Sequence, residues 1–512
     1  MAVPTYPHSR IVGFHPRGWP LNDDVVLYIV QLMCAGSAPW TPFGPSTKDV
    51  RMLAASSRHL RKICLPHVYC RYLWAWNSVT PRRSAFMPST LWTYVTSFEL
   101  DIQKFFGGHS DLVMNETLQF PKALPDTIAI AFPLMKNLRT VCLSQFTVCG
   151  PWRELLESVF LAPALQSLEI RNSPWQTYAE IFDTHNISTP SLRRFVYHAP
   201  FAFRKAQQDN ARRGMTQRAV ELSILRPLIH SFRASLETLE LPAELVFDLF
   251  DAEFPVLREL RVEGYGPSDL QWVRLLRLAP RLRVFNVRLV PGDALCLVDQ
   301  MPEAFDVIDR LHSISLSNPL PRDLIFHLLP STLTNLALTA YPDHTTTADL
   351  ARCSLPKDII SCPDLLSILK SLYVPHLRSL AISYKWDRHR SQEELLRYIV
   401  HAFPGLDVLE LNQYHTPANM QKTCMKQIKE TLSSLSRLRS LRLNLGYMQT
   451  GQWLCDTTLQ FDTHTAWDVG MWVKSLCDIS FLVMKAPLAP FDRPYGWVWT
   501  WRTYIVNGSA QS

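Results

Sequence analysis

A short pattern of apolar residues recurs along most of this 512-residue chain and limits what the chain can fold into. In its full form it is a proline, a leucine two positions later, a leucine or phenylalanine three positions on, and an apolar residue after two more. The full form begins at Pro163, Pro190, Pro255, Pro280, Pro375 and Pro404. Its apolar core alone recurs at Leu138, Leu236, Leu311, Leu333 and Leu438, and more weakly around Val95, Phe98 and Leu100. Most neighbouring copies lie 21 to 32 residues apart, with three longer gaps.

Each copy predicts a strand, and the segments between copies predict helices. Apolar residues share one helix face in two of these segments, 152–160 and 395–403. One strand and one helix cannot bury their apolar faces alone, whereas stacked units form a continuous core. We therefore expect an α/β fold: an irregular solenoid with a parallel strand ladder on one side and outer helices on the other. An unrelated mixed α/β domain is the alternative.

The repeat resembles a leucine-rich-repeat solenoid, with one departure. The asparagine expected three residues after the last apolar position of each strand is generally missing, and Ser173, Tyr265 and Tyr414 stand there instead. Some turns must therefore satisfy their backbone groups in another way. The C-terminal stretch 497–506 alternates large residues and is expected to form a final strand or cap over the open end.

The stretch from Trp19 to Trp76 has a different pattern, typical of short amphipathic helices. Apolar residues recur at three- and four-residue intervals from Leu21 to Met33. Asp23 and Asp24 stand where a helix dipole favours acidic side chains. These features predict a helix at the start of the stretch.

A second helix is predicted after a loop rich in proline, glycine and serine, 35–48. Its apolar stripe runs from Val50 to Leu60, and Pro66 is expected to interrupt it, after which 68–76 continues a helical, aromatic-rich pattern. Fewer than 60 residues bury only a small core, so we expect apolar side chains to stay on the outside of this unit.

From Leu21 to about Trp74, the order of these elements resembles an F-box as fungal F-box proteins carry it. The family usually has Leu-Pro where this chain has Leu21-Asn22, with its proline one residue early at Pro20. The resemblance implies that the unit binds a Skp-type adaptor, which tethers the chain to a cullin ubiquitin ligase. The implied adaptor contacts are Leu21, Val25, Val26, Ile29, Leu53, Leu60 and Pro66. A plain helical cap on the following domain is the alternative.

These patterns divide the chain into three parts. Residues 1–17 are expected to be a loose tail, residues 18–76 the F-box-like helical domain, and residues 77–512 the leucine-rich-repeat-like solenoid with its C-terminal cap.

Composition narrows the class of protein further. Hydrophobic residues make up 47% and charged residues 19%, which is ordinary for a folded protein, and the net charge of +7 does not point to nucleic acid. No signal peptide and no membrane-length apolar run is visible, so we expect no membrane partner and a cytoplasmic or nuclear location. The eleven cysteines include no CxxC pair and are expected to be reduced core thiols.

No motif of catalysis or metal binding is visible in the sequence. We find no nucleophile elbow, Walker loop, dinucleotide fingerprint, His-Glu-x-x-His or paired Cys/His spacing. The sequence therefore predicts no catalytic residues, no metal ligands, no cofactor and no enzyme activity. A catalytic site dispersed along the chain is the alternative from another class.

The expected function is that of a substrate receptor in a Skp/cullin/F-box ubiquitin ligase, with the solenoid holding an unidentified target protein. A leucine-rich-repeat interaction scaffold without a ligase is the rival. The target site is predicted on the concave side, where small residues leave a shallow hollow bordered by arginines and aromatic side chains. Its predicted residues are Arg261, Arg288, Ser313, Ser315, Ala337, Tyr384 and Trp386. Because Leu333 and Leu377 lie 44 residues apart, it stays open whether their strands are neighbours.

Overall fold

A computed structural model provides the structure of the chain. It describes residues 23–35, 45–75, 86–102, 123–144, 146, 151, 153–173, 175, 191–199, 211–266, 272–290, 305–341, 359–385, 389–414, 421–444, 447–449, 452–454, 469–485 and 498–506. The predicted tail, 1–17, lies outside these residues.

The described strands form one long ladder. Fifteen of them follow chain order in a single sheet; they are β1 (Arg71–Ala75), β2 (Ser97–Asp101), β3 (Thr140–Ser144), β4 (Ser167–Arg171), β5 (Arg194–His198), β6 (Thr238–Pro242), β7 (Glu259–Gly264), β8 (Val284–Leu289), β9 (Ser313–Ser317), β10 (Asn335–Thr339), β11 (Ser379–Lys385), β12 (Val408–Tyr414), β13 (Ser440–Asn444), β16 (Asp478–Lys485) and β17 (Val498–Ile505). A small hairpin, β14 (Tyr447–Gln449) and β15 (Gln452–Leu454), forms a separate two-stranded sheet. Every neighbouring pair in the ladder is parallel except the last, in which β17 runs antiparallel to β16.

Helices connect many of the strands. The helices within the repeat region are α4 (Ala123–Ala131), α5 (Arg153–Val159), α6 (Ala211–Phe232), α7 (Ala243–Leu249), α8 (Trp272–Arg277), α9 (Phe305–Ile308), α10 (Ile325–Leu328), α11 (Cys362–Ser371), α12 (His389–Ala402) and α13 (Gln421–Leu432). Short 3₁₀ helices cover Ser89–Tyr94 and Phe132–Leu134. Buried strand leucines and the apolar helix faces belong to one continuous core that extends from Trp74 to Phe481. The predicted architecture, a parallel ladder with helices packed on one face, is confirmed.

Alternation along the strands gives the sheet two different faces. In β9, Ile314 and Leu316 are buried, whereas Ser313, Ser315 and Ser317 are half-buried. Side chains in a strand point alternately to opposite faces, so the leucines and isoleucines enter the core and their neighbours form the other surface. We call that second surface, the side of the sheet away from the core, the open face.

Two ladder strands differ from the sequence prediction. The stretch 68–76 was expected to continue a helical pattern, but the helix ends at Val68 and Arg71–Ala75 forms β1, which pairs with β2. Trp74 thereby enters the solenoid core, and the ladder begins before the predicted boundary at residue 76. The strand β16 was not predicted, although its buried Ile479 and Phe481 repeat the spacing of the other strands.

Three helices precede the ladder: α1 (Asp23–Ala35), α2 (Pro45–Ser56) and α3 (Arg58–Val68). They share a small core of their own: Val26, Val30, Val50, Ala54, Leu60, Cys64 and Val68. The second predicted helix is therefore two helices. The break falls at Ser57, whose hydroxyl accepts a hydrogen bond from the backbone N–H of Leu60 at 3.0 Å and so caps α3.

The turns after the strands satisfy their backbone hydrogen-bonding groups through different side chains from one turn to the next. This is expected, because the sequence lacks a recurring asparagine there. Ser173 accepts a 3.1 Å hydrogen bond from the backbone N–H of Phe146 in the preceding turn. Asn318, with φ of 49°, donates to the carbonyls of Leu289 at 2.8 Å and of Tyr341 at 2.9 Å. One side chain thus joins the turns of three successive repeats.

Candidate functional site

The helical unit carries an apolar stripe on the outside of α1. Val25, Tyr28 and Ile29 recur at three- and four-residue intervals and are 43%, 60% and 39% exposed. The opposite side of the helix, with Val26 and Val30, lies in the small core. An exposed stripe of this kind on a folded unit is typical of a surface that another protein covers.

The structure divides the seven predicted adaptor residues into separate groups. Val25 and Ile29 are exposed, Pro66 is exposed near the end of α3, and Leu53 is half-buried. Leu21 lies outside the described residues.

Two of these predictions need correction. Val26 and Leu60 are buried, at 5% and 0% exposure, because they face inward among the three helices. They build the unit rather than present a surface. Sequence reasoning missed two exposed apolar residues, Tyr28 on α1 and Met52 on α2, because helical spacing alone does not say which side of the stripe faces the core.

The predicted hollow of small residues lies on the open face. Ser315 pairs with Ala337 across β9 and β10, and Ala337 pairs with Ala381 across β10 and β11. All three are half-buried, as is Ser313. Although Leu333 and Leu377 lie 44 residues apart in the sequence, their strands are direct neighbours in the ladder.

The two arginines predicted to border this hollow already have carboxylate partners. Arg261 forms an ion pair with Glu259 at 2.6 Å. Arg288 lies 3.6 Å from Glu263, and its guanidinium stands 5.2 Å from the centre of the Tyr341 ring. Each of these arginines therefore shares its charge with a carboxylate of the same fold.

The predicted aromatic border is not supported at Tyr384. This side chain is fully buried, because it follows Leu380 and Ile382 at two-residue spacing and so points into the core. Its hydroxyl oxygen lies 3.5 Å from the side-chain nitrogen of Gln392. The other predicted border residue, Trp386, lies outside the described residues.

A polar cluster missed by sequence reasoning surrounds Glu263 at the end of β7. The hydroxyl of Tyr341 donates to the carboxylate at 2.8 Å, and His198 Nε2 lies 3.6 Å from it. Burial by itself would raise the pKa of Glu263, but His198, the charge of Arg288 and the Tyr341 hydroxyl together hold it below its ordinary value. Burial, with the charge of Glu263, raises the pKa of Tyr341, so its phenol stays protonated and donates.

Another group of carboxylates lies nearer the start of the ladder, where Glu99, Cys142 and Glu169 are adjacent across β2, β3 and β4. Glu169 pairs with Arg171 at 2.5 Å and with Arg194 at 3.3 Å. Burial, followed by the negative charge of Glu99, raises the pKa of the Cys142 thiol to about 12. At neutral pH this cysteine is a thiol, the unreactive form.

Within the described part of the chain, no group of three or more His, Cys, Asp or Glu side chains has the arrangement of a metal site. Among the same residues, no helix combines the length and apolar character needed to cross a membrane.

Comparison with known proteins gave structural likenesses only. The sequence matches no protein-family model and no curated protein. Among solved structures, it is similar to the leucine-rich repeat-containing protein LegL7 from Legionella pneumophila, at 13% identity over 71% of this chain and 97% of that one, with a TM-score of 0.32. A second likeness is to the leucine-rich-repeat ectodomain of the plant membrane receptor kinase GASSHO1/SCHENGEN3 from Arabidopsis thaliana, at 12% identity over 61% of this chain and 36% of that one, with a TM-score of 0.19. The fold assignment rests on the ladder itself, which has the features of an α/β solenoid built from leucine-rich units.

Proposed function

We propose that this chain is a substrate-receptor subunit of a Skp/cullin/F-box ubiquitin ligase. The exposed stripe Val25, Tyr28 and Ile29 on α1 supports this proposal most directly. The stripe belongs to a three-helix unit with its own core, at the position in the chain where the F-box-like sequence pattern lies. In this assignment the stripe binds the adaptor, and the open face of the ladder holds the target protein.

The mechanism is proximity. A receptor that binds the adaptor through one unit and the target through another raises the concentration of the target near the ubiquitin-charged enzyme. This chain then makes and breaks no covalent bond itself. The other subunits supply the chemistry.

Co-purification with a Skp-type adaptor tests the assignment. The double variant Val25→Asp, Ile29→Asp should lose the adaptor, because complex formation would bury two unpaired carboxylates. Both side chains are partly exposed in the free chain, so the variant should still fold, which circular dichroism checks.

A matched control separates this effect from general loss of apolar surface. Ile130 on α4 is 67% exposed, so Ile130→Asp introduces one such carboxylate outside the helical unit and should leave adaptor binding unchanged. Adaptor retention by a well-folded double variant would contradict the proposal. Global unfolding of the double variant would instead favour a helical cap.

A protein-interaction scaffold without a ligase is the second candidate, and one observation favours it. The open face is formed entirely by the ladder, whose core extends from Trp74 to Phe481 and shares no buried residue with the helical unit. A scaffold would bind its partner through that face and co-purify with no adaptor at all.

A further inference from the structure

The residues that come just before the strands form a line across the ladder, at the edge of the open face. The backbone N–H of Arg283, before β8, donates to the carbonyl of Arg258, before β7, at 2.8 Å. The backbone N–H of His312, before β9, donates in the same way to the carbonyl of Arg283 at 2.9 Å. Neighbouring strands lie about 4.8 Å apart, so Arg258 and Arg283 are direct neighbours along this edge.

Arg310 lies at the same edge of the sheet and is held in place. Its guanidinium donates to the backbone carbonyls of Pro280 at 2.6 Å and of Asp306 at 3.1 Å. Because Pro280 directly precedes Arg281, Arg310 lies beside the chain segment that carries Arg281 and Arg283. Carbonyls accept these hydrogen bonds without neutralising the guanidinium, so a cation is fixed at this point.

Four exposed arginines at this edge lack a carboxylate partner. We call them the arginine cluster; they are Arg258, Arg281, Arg283 and Arg310. Within the described part of the chain, no carboxylate lies within ion-pairing distance of any of them, Asp309 included. Arg261 and Arg288 differ in this respect, because each has a glutamate partner on the open face. The charge of the cluster is therefore open to an external ligand.

The arrangement of Arg258 and Arg283 is unfavourable for the ladder by itself. Like charges that are neighbours across a sheet repel each other and lower its stability. An exposed position accepts a neutral side chain equally well, so folding alone does not explain this pair. A bound anion would remove the repulsion, and hydrogen bonds between a guanidinium and a carboxylate are stronger than those between neutral groups.

The geometry and the surroundings of the cluster favour a protein segment over a nucleic acid. The three strands that follow these arginines span about 10 Å, and an extended peptide presents side chains on one face about every 7 Å, which long arginine side chains can follow. Single-strand nucleic-acid sites combine cations with exposed aromatic rings on which bases stack. Within the described part of the chain, the exposed aromatic residues are Tyr28, Tyr373 and Trp472, and none belongs to the units of β7 to β9.

We propose that the arginine cluster binds an acidic segment of the target protein, with Asp or Glu side chains at alternate positions. Arg258 and Arg283 contact successive carboxylates, and the anchored Arg310 completes the site. The inference rests on the proposed function, in that the ladder holds the target. It keeps the acidic target that the sequence predicted, but moves its site from Arg261 and Arg288 to the neighbouring edge.

Peptide binding by the purified full chain, without adaptor, tests the inference. The probe is a short fluorescent peptide with three glutamates at alternate positions, and the comparison peptide has glutamines there. Fluorescence anisotropy should show about tenfold tighter binding of the glutamate peptide, and the difference should shrink as salt is added. A single-stranded RNA of equal total charge is the second comparison.

Charge reversal assigns the effect to the cluster. Arg283→Glu should weaken binding of the glutamate peptide about tenfold, and Arg258→Gln about threefold, as expected for exposed ion pairs. Arg322→Glu is the matched control, since Arg322 is exposed in the turn after β9, at the opposite end of the strands. It makes the same change to the net charge of +7 and should change the affinity less than twofold.

Melting curves verify that the variants fold. Should Arg283→Glu fail to fold, the milder Arg283→Gln replaces it, with an expected loss of about threefold. Arg322→Gln is then the control of equal charge.

The results distinguish this inference from the proposed function. Equal binding of the two peptides, or equal weakening by Arg283→Glu and Arg322→Glu, would overturn the cluster. Tighter binding of the RNA, lost in Arg283→Glu, would overturn the protein ligand. If the glutamate peptide binds through Arg283 but no Skp-type adaptor co-purifies, the cluster stands and the ligase assignment fails. If the adaptor binds through Val25 and Ile29 while the peptides bind equally, only the cluster fails.

Discussion

The hydroxyl of Tyr341 donates a 2.8 Å hydrogen bond to Glu263, which lies 78 residues earlier in the chain. Glu263 is in β7 and Tyr341 follows β10, so the bond spans three repeats of the ladder. Most contacts in a solenoid join adjacent repeats, whereas this one is longer. It stabilises the ladder between β7 and β10.

Replacing Tyr341 by Phe should destabilise the protein. The variant keeps the buried ring but removes the donor, and hydrogen bonds to charged groups contribute about 1.5 to 3 kcal/mol. Urea unfolding measures the loss. Tyr398→Phe is the comparison: its hydroxyl donates to the neutral carbonyl of Leu369 at 3.2 Å, so about 0.5 to 1.5 kcal/mol is expected there. Equal losses of stability in the two variants would mean that the charge of Glu263 does not strengthen the hydrogen bond from Tyr341.

The repeat leucines should be far more sensitive than the residues beside them. Leu257 is fully buried in the core, so Leu257→Ala should cost roughly 2 to 5 kcal/mol through lost burial and the cavity left behind. Arg258 is the next residue and is exposed, so Arg258→Ala should change stability by less than about 0.5 kcal/mol. Similar losses in chemical denaturation would contradict the assignment of Leu257 to the core and of Arg258 to the surface.

Glu99 should destabilise the native protein at neutral pH. Burial, and then the neighbouring charge of Asp101, raise the pKa of its carboxyl above the ordinary value. The folded protein therefore binds a proton at Glu99 more tightly than the unfolded chain does. The resulting contribution to folding stability is present below the ordinary pKa and is lost as the pH rises through the folded pKa.

The variant Glu99→Gln is accordingly expected to unfold at a higher temperature than wild type at pH 7. The difference between the two proteins should shrink as pH falls, which melting curves across a pH series would reveal. A variant that is less stable than wild type at pH 7 would show that the ionised carboxylate has a favourable role instead.

Cysteine alkylation should separate Cys142 from Cys477. The Cys142 thiol is 5% exposed and its pKa is raised to about 12, so very little thiolate forms at pH 8. Cys477 is exposed. Iodoacetamide should label Cys477 in the native protein and reach Cys142 only after denaturation, as read by peptide mass spectrometry. Rapid native labelling of Cys142 would place it at an open surface.

The local sequence pattern predicts the ladder because each strand buries apolar side chains at the same spacing. The spacing at Leu257, Leu260 and Val262, and at the other copies, predicts β2 to β13 without any tertiary contact. The same reasoning failed at β1, since Tyr72 and Trp74 fit a helical as well as an extended pattern. Only pairing with β2 decides between them.

The sequence by itself determined a solenoid, an amphipathic helical unit at its start, and a surface of small residues on β9 and β10. Tertiary structure alone decided which apolar residues of that unit are exposed, as Val25 and Val26 illustrate. It also decided the charge of the open face. Arg288 lies 3.6 Å from Glu263 on the neighbouring strand, and Tyr341 donates to Glu263, because the ladder brings separate strands into register. The spacing of residues along the sequence shows the period of the repeat. Compensation of charge depends instead on which side chains are neighbours across the sheet.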